Sequence, residues 1–313
     1  MGIPLTLNKD PHLMKDTRDM MHTFIEISLA GDDGDATRDL LEKGFKIFKR
    51  YEKRYNFFDP ASTLSRLNRS RRPFKASREL FRMLKVCLSI SRISHGAFDI
   101  TVGPLVKLWD FSAPDPRIPE DQEIKRVLKT IGYRTITLTD DRIEKKPGIR
   151  IDLSGVVKGF AVDDACDFFI KKGIGQAMVN GGRNIRVIGR TMRQEPWRIG
   201  ILNPRNQEEL MAVLSLEDEA VATSGDYENY FIKNGVWYHH LLDPATGHPV
   251  SHCQSATVIS RSAALTDMLS TTAFILGPDK GMPVLKAFGC EGVFITKEGI
   301  LSTPGIGKKL EIL

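Results

Sequence analysis

Residues 149–173 read IRIDLSGVVKGFAVDDACDFFIKKG, and the change of pattern inside this stretch decides the class of the fold. The alternation of apolar and polar residues over 149–153 predicts a β-strand. The apolar spacing over 156–172 predicts a helix, which Gly173 ends. A strand that runs directly into a helix indicates a body that combines both kinds of element.

The junction between this strand and this helix is a candidate anion site. A helix start exposes unpaired N–H groups, and these groups favour an anionic ligand. Gly155 has no side chain to block the approach of a ligand or ion, and Lys158 adds a positive charge one turn into the helix. A plain β–α turn in which Asp152 ends the strand explains the same residues equally well. The GxxxxGK[ST] order of a Walker motif is absent.

Further helices and strands are predicted in an interspersed order on both sides of this stretch. Several strands are joined by short turns such as Asn234-Gly235, which favours hairpins. We therefore expect an α/β (α+β) fold with mixed sheets and not a purely doubly wound sheet. The predicted strands are 23–29, 135–138, 176–179, 185–188, 197–202, 212–216, 227–232, 236–242 and 254–259. Two helices are predicted to begin at caps formed by Asp35 and Ser77, and two others to cover about 119–131 and 263–276. A final helix–strand unit is predicted near 284–296.

The composition is typical of a soluble globular protein. The chain has 313 residues, of which 41% are hydrophobic and 27% charged. No apolar run reaches the roughly 18 residues that a membrane span needs, so no transmembrane segment is expected. The cysteines are widely spaced and form no CxxC pair, which indicates neither a zinc site nor a disulfide framework; they are Cys87, Cys166, Cys253 and Cys290.

The basic charge of the chain does not indicate a nucleic-acid partner. The net charge is +6, and much of the excess lies between Lys46 and Lys85. No nucleic-acid-binding motif accompanies it, so solvated helix faces are the favoured explanation. No leader or lipobox precedes the first strand, so a cytoplasmic location is expected for the chain as written. The periplasmic side of the inner membrane is the expectation if a leader has been removed.

Asp267 and Thr271 form a candidate metal site on the predicted helix at 263–276. They lie four residues apart, so their side chains share one face of the helix. A carboxylate and a hydroxyl supply the hard oxygen ligands that Mg²⁺ prefers. A polar helix face, with Thr271 bonded back to a carbonyl, is the alternative explanation.

Two adjacent histidines precede an Asp-Pro turn in YHHLLDPATG, residues 238–247. A histidine beside a metal-bound diphosphate can take a proton from an incoming hydroxyl, because its pKa lies near working pH. No third ligand stands at a spacing that would make His239 and His240 a transition-metal site. Histidines that are simply satisfied in the core or exposed at the surface remain the alternative.

Three glycine-containing segments are open to two interpretations each. Residues 96–105, GAFDITVGPL, read either as a loop that ends a helix or as one that grips a flat ring. Asn180-Gly181-Gly182 allows a tight turn or the close approach of a ligand. Thr223-Ser224-Gly225-Asp226 is equally ambiguous.

Taken together and in this order, these segments resemble the ApbE family, the FAD:protein FMN transferases. The similarity extends over residues 21–277 and is specific because eight short motifs occur in the family's order. The motifs are Met21-His22-Thr23, Phe58-Asp59-Pro60-Ala61-Ser62 with Leu67-Asn68, GAFDITVGPLVKLW, IDLSGVVKGFAVD, VNGGRNIRVIG, ATSGDYENYF, HHLLDPATGHPV and TDMLSTTAFILG.

The resemblance implies a magnesium-dependent enzyme that takes FAD as its substrate. Such enzymes transfer FMN to a threonine or serine of an acceptor flavoprotein and release AMP. The resemblance places the catalytic base at His240. It places the magnesium ligands at the backbone of Gly155 and the side chains of Asp267 and Thr271, with Ser270 nearby. The implied FAD contacts are Met21, Phe58, Ala97, Phe98, Asp99, Asp152, Lys158 and Leu241.

The family also implies an architecture and leaves other activities open. We expect an N-terminal extension at 1–20, followed by a single ApbE-like domain at 21–313. That domain is expected to be a two-lobed body with the flavin in a cleft. An FAD diphosphatase that releases FMN and AMP is one alternative function, and a non-catalytic FAD-binding protein is another.

Overall fold

The computed structural model describes residues 13–31 and 34–313. The helices are α1 (Asp35–Tyr55), α2 (Thr63–Arg69), α3 (Arg78–Ile93), α4 (Gly103–Trp109), α5 (Asp121–Leu128), α6 (Val157–Lys171) and α7 (Ala263–Ala287). The strands are β1 (Leu13–Met20), β2 (Thr23–Ala30), β3 (Phe74–Lys75), β4 (Ile136–Thr139), β5 (Arg142–Lys145), β6 (Ala177–Gly181), β7 (Asn184–Ile188), β8 (Trp197–Asn203), β9 (Asn206–Leu216), β10 (Ala220–Gly225), β11 (Tyr230–Lys233), β12 (Val236–His239), β13 (Ser255–Ser260), β14 (Glu291–Ile295), β15 (Ile300–Ser302) and β16 (Leu310–Ile312).

An eight-stranded sheet in the order β1-β2-β6-β7-β10-β13-β14-β15 forms the centre of the molecule. Helices α6 and α7 pack on one face of this sheet, and α1 packs on α6. The three-stranded sheet β16-β9-β8 covers the opposite face. Consecutive residues of one strand therefore enter different cores, as Val258 and Ile259 of β13 do.

A second, smaller lobe is built by α4 and α5 against the β11–β12 hairpin. Its apolar cluster centres on Trp109, whose indole N–H donates to the carbonyl of Gly247 at 2.8 Å. The segment after β12 joins the two lobes, because Leu241 lies in the large core and Leu242 lies in the small cluster.

The predicted combination of helices and sheets is confirmed, and the strand pairing needs a correction. Every strand pair among the described residues is antiparallel, so the sheets do not mix parallel and antiparallel neighbours. Two-residue turns connect several of these antiparallel pairs into hairpins. Met21-His22, Gly182-Arg183 and Asn234-Gly235 all have positive φ, the conformation that matches the twist of the flanking strands.

The predicted strand at 149–153 is wrong. The segment forms no ladder with another described strand, because other groups take its backbone hydrogen bonds. The side-chain amide of Asn68 donates to Ile151 O at 2.8 Å and accepts from Ile151 N at 2.7 Å. Asp152 N donates to Ile100 O at 2.7 Å. The helix after it is confirmed, at Val157–Lys171.

Further differences concern the ends of elements. Ser77 caps α3 as predicted, accepting from Leu80 N, but α1 begins at Asp35 with Gly34 in the cap position and no side-chain cap. From Leu13 onward, the segment before Met21 forms β1 and pairs with β2 along its whole length; residues 1–12 of the expected extension lie outside the described residues. Helix α7 continues past the predicted end at 276, with a kink at Gly277. No helix in the described part of the chain is long and apolar enough to cross a membrane.

Helices α6 and α7 are packed closely where α7 begins. Asp163 of α6 accepts hydrogen bonds from the first backbone N–H groups of α7, at 2.8 Å from Ala263 and 3.0 Å from Ala264. At Gly159, an added Cβ would lie 2.6 Å from Ala263 O and 2.7 Å from Ala264 Cα. Only a glycine therefore allows α7 to lie this close to α6.

We expect the Gly159→Ala substitution to lower the free energy of unfolding by about 2 kcal/mol, because the extra methyl group overpacks the α6–α7 contact. Urea unfolding measures this change. Gly155→Ala is the matched control, since a Cβ there meets no atom within 4 Å. Its effect should stay within about 0.5 kcal/mol. Equal losses in both variants would contradict the close packing of α6 on α7.

Candidate active site

The start of α6 is capped by a carboxylate from α7. Val156 occupies the N-cap position and offers no side-chain cap. Instead, the N–H of Gly159, in the first turn of α6, donates to Asp267 Oδ2 at 3.2 Å. The predicted anion site and the predicted metal residue are therefore brought together, and Gly155 lies exposed at the turn before the helix.

The protein itself stabilises the ionised form of the Asp267 carboxyl only in part. Burial raises the pKa of its carboxyl above the ordinary value, whereas Lys158, the Gly159 N–H and the side chain of Asn184 lower it. No salt bridge to Asp267 occurs within residues 13–31 and 34–313. Asn184 Oδ1 is also buried without a hydrogen-bond partner in this part of the structure. A bound cation would satisfy such a carboxylate.

Three hydroxyl groups, two from α7 and one from β10, meet about one turn beyond Asp267. Ser270 Oγ donates to Asp267 O at 3.0 Å. Ser224, from β10, lies 2.9 Å from Ser270 Oγ and 3.1 Å from Thr271 Oγ1. Ser270 is buried, and Thr271 is partly exposed on the same face as Asp267. Ser224 of the central sheet therefore links Thr271 to Ser270, which in turn bonds to the backbone carbonyl of Asp267.

This donor set fits a hard divalent cation such as Mg²⁺. The oxygens are a carboxylate, a hydroxyl and the accessible backbone of Gly155, and Mg²⁺ is usually completed by waters and phosphate oxygens. In the described ranges, no group of three or more His, Cys, Asp or Glu side chains is arranged so that it could hold a metal ion by itself. The arrangement therefore favours a cation shared with a phosphate ligand over an all-protein cage.

The two histidines have different environments. His239 Nε2–H donates to Val250 O at 2.7 Å, and its Nδ1 accepts from Leu241 N at 3.3 Å. Both of its ring nitrogens are therefore used inside the protein. His240 Nδ1 is buried and has no partner in the described structure. Of these two rings, only that of His240 has a nitrogen without a partner in the described structure.

The pKa of His240 is far below that of a free histidine. Burial lowers it to about 4, with further lowering from His239 and Lys158, while a backbone hydrogen bond with Asn229 raises it. The ring is consequently neutral near pH 7. A neutral imidazole with an unpaired nitrogen is the state that a general base requires.

The predicted ring-gripping loop is fixed by its own side chains. Asp99 Oδ1 accepts from Thr101 N and Oγ1 at 2.8 and 2.6 Å, and Asp99 Oδ2 accepts from Tyr133 N at 2.9 Å. Burial raises the pKa of this carboxyl. Ala97 and Phe98 are also buried. A ligand at this loop would meet mainly its backbone.

A groove of about 760 Å³ runs beside this loop. Ala97 lines it together with Asp243 from the Asp-Pro turn and with Ile275 and Leu276 of α7. These two α7 residues lie beyond Thr271 on the helix that carries Asp267. The candidate metal residues Gly155, Asp267, Ser270 and Thr271 are not among the residues that line this groove.

The remaining predicted FAD contacts lie in three places. Asp152 Oδ1 accepts from Ser154 N at 2.9 Å, and its side chain packs against Gly103. Leu241 is buried in the large core. Met21 and Phe58 lie at the carboxyl end of α1: Met21 N donates to Glu52 at 2.8 Å, and the ring of Phe58 is 82% exposed.

Several residues at this site were not predicted from the sequence. Ser224 lay in a segment that was ambiguous between a turn and a ligand contact; it lies in β10, 3.1 Å from Thr271. Asn68, Asn184 and Asp163 also belonged to quoted motifs, but their hydrogen bonds depend on the folded chain.

Known proteins resemble this chain in both sequence and structure. The FAD:protein FMN transferase of Vibrio cholerae is 37% identical over 234 residues, which are 72% of this chain and 70% of that protein. The enzyme of the same name from Escherichia coli is 31% identical over 290 residues, covering 89% and 83% of the two chains.

Solved structures extend the comparison to nearly the whole chain. The ApbE protein of Thermotoga maritima has a TM-score of 0.87 at 30% identity and covers 95% of this chain and 99% of its own. The flavinyl transferase ApbE of Pseudomonas stutzeri has a TM-score of 0.84 at 28% identity, covering 95% and 96%. The ApbE family model matches residues 21–294. The chain therefore belongs to the ApbE family.

Proposed function

We propose that this enzyme transfers FMN from FAD to a threonine or serine hydroxyl of an acceptor flavoprotein, in a magnesium-dependent reaction that releases AMP. The names of its relatives support the transfer of FMN from FAD to a protein. The magnesium ion, the acceptor hydroxyl and the leaving group are inferred from the chemistry of the site.

The position of Lys158 is the observation that carries the proposal. Its positive charge lowers both the pKa of His240 and the pKa of Asp267. A candidate base, a candidate metal ligand and a cation at a helix start therefore share one neighbourhood. That combination suits a diphosphate that is attacked by a neutral hydroxyl.

The proposed reaction breaks one bond of the FAD diphosphate and forms one new bond. The acceptor oxygen attacks the phosphorus of the FMN half, and the bond from that phosphorus to the bridging oxygen breaks. AMP leaves with the bridging oxygen. The proton of the acceptor hydroxyl passes to the free ring nitrogen of His240.

The other residues of the site hold the diphosphate in place. Lys158 and the N–H groups at the start of α6 would bind its oxygens. Asp267, Thr271 and the backbone of Gly155 would hold the magnesium ion, with Ser270 beside them. Bound there, the ion would neutralise charge that develops on the diphosphate oxygens.

We expect FAD, Mg²⁺ and a suitable acceptor flavoprotein to give an acceptor whose mass increases by one FMN group, together with one AMP for each group transferred. Intact-mass spectrometry and nucleotide chromatography measure the two products. Acceptors in which the target hydroxyl is replaced by alanine are the control. AMP and free FMN without any labelled acceptor would identify a diphosphatase, and FAD binding without turnover would identify a binding protein.

We expect His240→Asn to reduce FMN transfer by about 10²–10⁴-fold, because the proton acceptor is lost. FAD binding and the thermal midpoint should change little. His239→Asn is the matched comparison, since that ring is satisfied by Val250 and Leu241. It should lower the thermal midpoint. Transfer by the His240 variant close to the wild-type rate would contradict its role as base.

The pH dependence supplies a second check on His240. Its lowered pKa means that the base loses activity only when the pH falls towards about 4. The acid limb of kcat/KM should therefore lie clearly below the ordinary histidine value, and the plateau should include pH 6. An acid limb centred at pH 6.5 or higher would contradict a buried neutral base.

We expect Asp267→Asn to abolish the thermal stabilisation by Mg²⁺ and to reduce transfer by at least about 100-fold. Without Mg²⁺, the variant should be as stable as the wild type or more stable, because a desolvated carboxylate has been removed. Asp39→Asn, at an exposed position on α1, is the control that should retain both properties. A magnesium-induced shift of normal size in Asp267→Asn would overturn the metal assignment.

A further inference from the structure

Ser224 connects the central sheet to the candidate metal side chains. It lies near the end of β10, and its hydroxyl reaches Ser270 at 2.9 Å and Thr271 at 3.1 Å on α7. Neighbouring strand residues point to opposite faces of a sheet. Thr223 accordingly points away from α7 and pairs with Thr257 at 2.8 Å.

The direction of each hydrogen bond in this cluster follows from the backbone carbonyl of Asp267, at which the chain of hydroxyl groups ends. Ser270 bonds to the backbone carbonyl of Asp267, which can only accept, so Ser270 uses its single hydrogen there. In the contact with Ser270, Ser224 must therefore be the donor. With its own hydrogen used, Ser224 must accept from Thr271. Each of the three hydroxyl groups then donates its hydrogen to one of the three contacts. No other assignment of donors satisfies all three contacts.

This direction determines what Thr271 presents to a ligand. The hydroxyl hydrogen of Thr271 points towards Ser224, so the lone pairs of its oxygen are left for a ligand. A hydroxyl that binds a cation must present a lone pair and point its hydrogen away. The hydroxyl relay of Ser224, Ser270 and the Asp267 carbonyl imposes that orientation before any ligand arrives.

Resting on the proposed function, we propose that Ser224 is a positioning residue that orients the Thr271 hydroxyl for Mg²⁺. Ser224 acts through Thr271 and needs no contact with the ion. Groups that orient metal ligands in this way commonly change metal affinity by about 10–100-fold when they are removed. In the Ser224→Ala variant, Thr271 regains free rotation, and its hydrogen can point towards the ion.

Magnesium affinity is the direct test, because it does not depend on transfer activity. Mg²⁺ alone is titrated into the full chain, and its dissociation constant is obtained by calorimetry and from the shift in thermal midpoint. We expect Ser224→Ala to weaken binding about tenfold. Thr223→Ala, the neighbouring hydroxyl on the opposite face, should stay within about twofold of the wild type. Equal weakening in both variants would overturn the proposal.

A double-mutant cycle separates orientation of Thr271 from a general effect on the fold. Thr271→Val removes the hydroxyl and keeps the size of the side chain. In that background, Ser224→Ala should cause no further loss of Mg²⁺ affinity, because the group that it orients is gone. A second full loss in the double variant would overturn the relay.

The proposed function and the relay fail in distinguishable ways. If the wild type binds Mg²⁺ but transfers no FMN to any acceptor, the proposed function fails and the cycle still decides the relay. If the wild type transfers FMN and Ser224→Ala binds Mg²⁺ as the wild type does, only the relay fails.

Discussion

The geometry of the site depends on the buried carboxylate of Asp163. It accepts from the first backbone N–H groups of α7 and from Ser262, the N-cap residue of that helix. Arg186 of β7 approaches the same carboxylate at 2.9 Å, so the charge is paired and bonded. One side chain thereby joins α6, α7 and the central sheet. Asp267 can reach the start of α6 only because α7 begins at that point.

Much of the architecture could be predicted from local patterns. Helix α6 is an example, because the spacing of its apolar residues and the glycine that follows it are visible within one short stretch of sequence. The segment at 149–153 shows the limit of such patterns. Its alternation is that of a strand, but Asn68, more than eighty positions earlier, takes the hydrogen bonds that a neighbouring strand would have made. No local pattern reports such a distant partner.

The candidate site likewise combines features that the sequence could predict with features that depend on the folded chain. The spacing of Asp267 and Thr271 indicated a shared helix face. In the structure, Thr271 reaches the serine of β10, and the Asp267 carboxylate reaches the start of α6. Residue type and spacing alone could not separate His239 from His240, and only the family resemblance selected His240. The physical difference lies in which ring nitrogens meet a partner in the folded chain. Ser224 and Asn184 could not be singled out either. Their significance depends on β7 and β10 lying beneath α7, which is a tertiary property.

The division of Leu241 and Leu242 between two cores has a mechanical consequence. At this point the chain crosses from the large body to the small lobe between Leu241 and Leu242, and His240 is the residue before Leu241. Repacking around Trp109 would therefore shift the backbone that carries the proposed proton acceptor, while the residues on α7 stay anchored to the sheet. Substitutions in the small lobe can thus change the position of the proposed base independently of the proposed cation site. The proposed base and the proposed cation site are held by different parts of the fold.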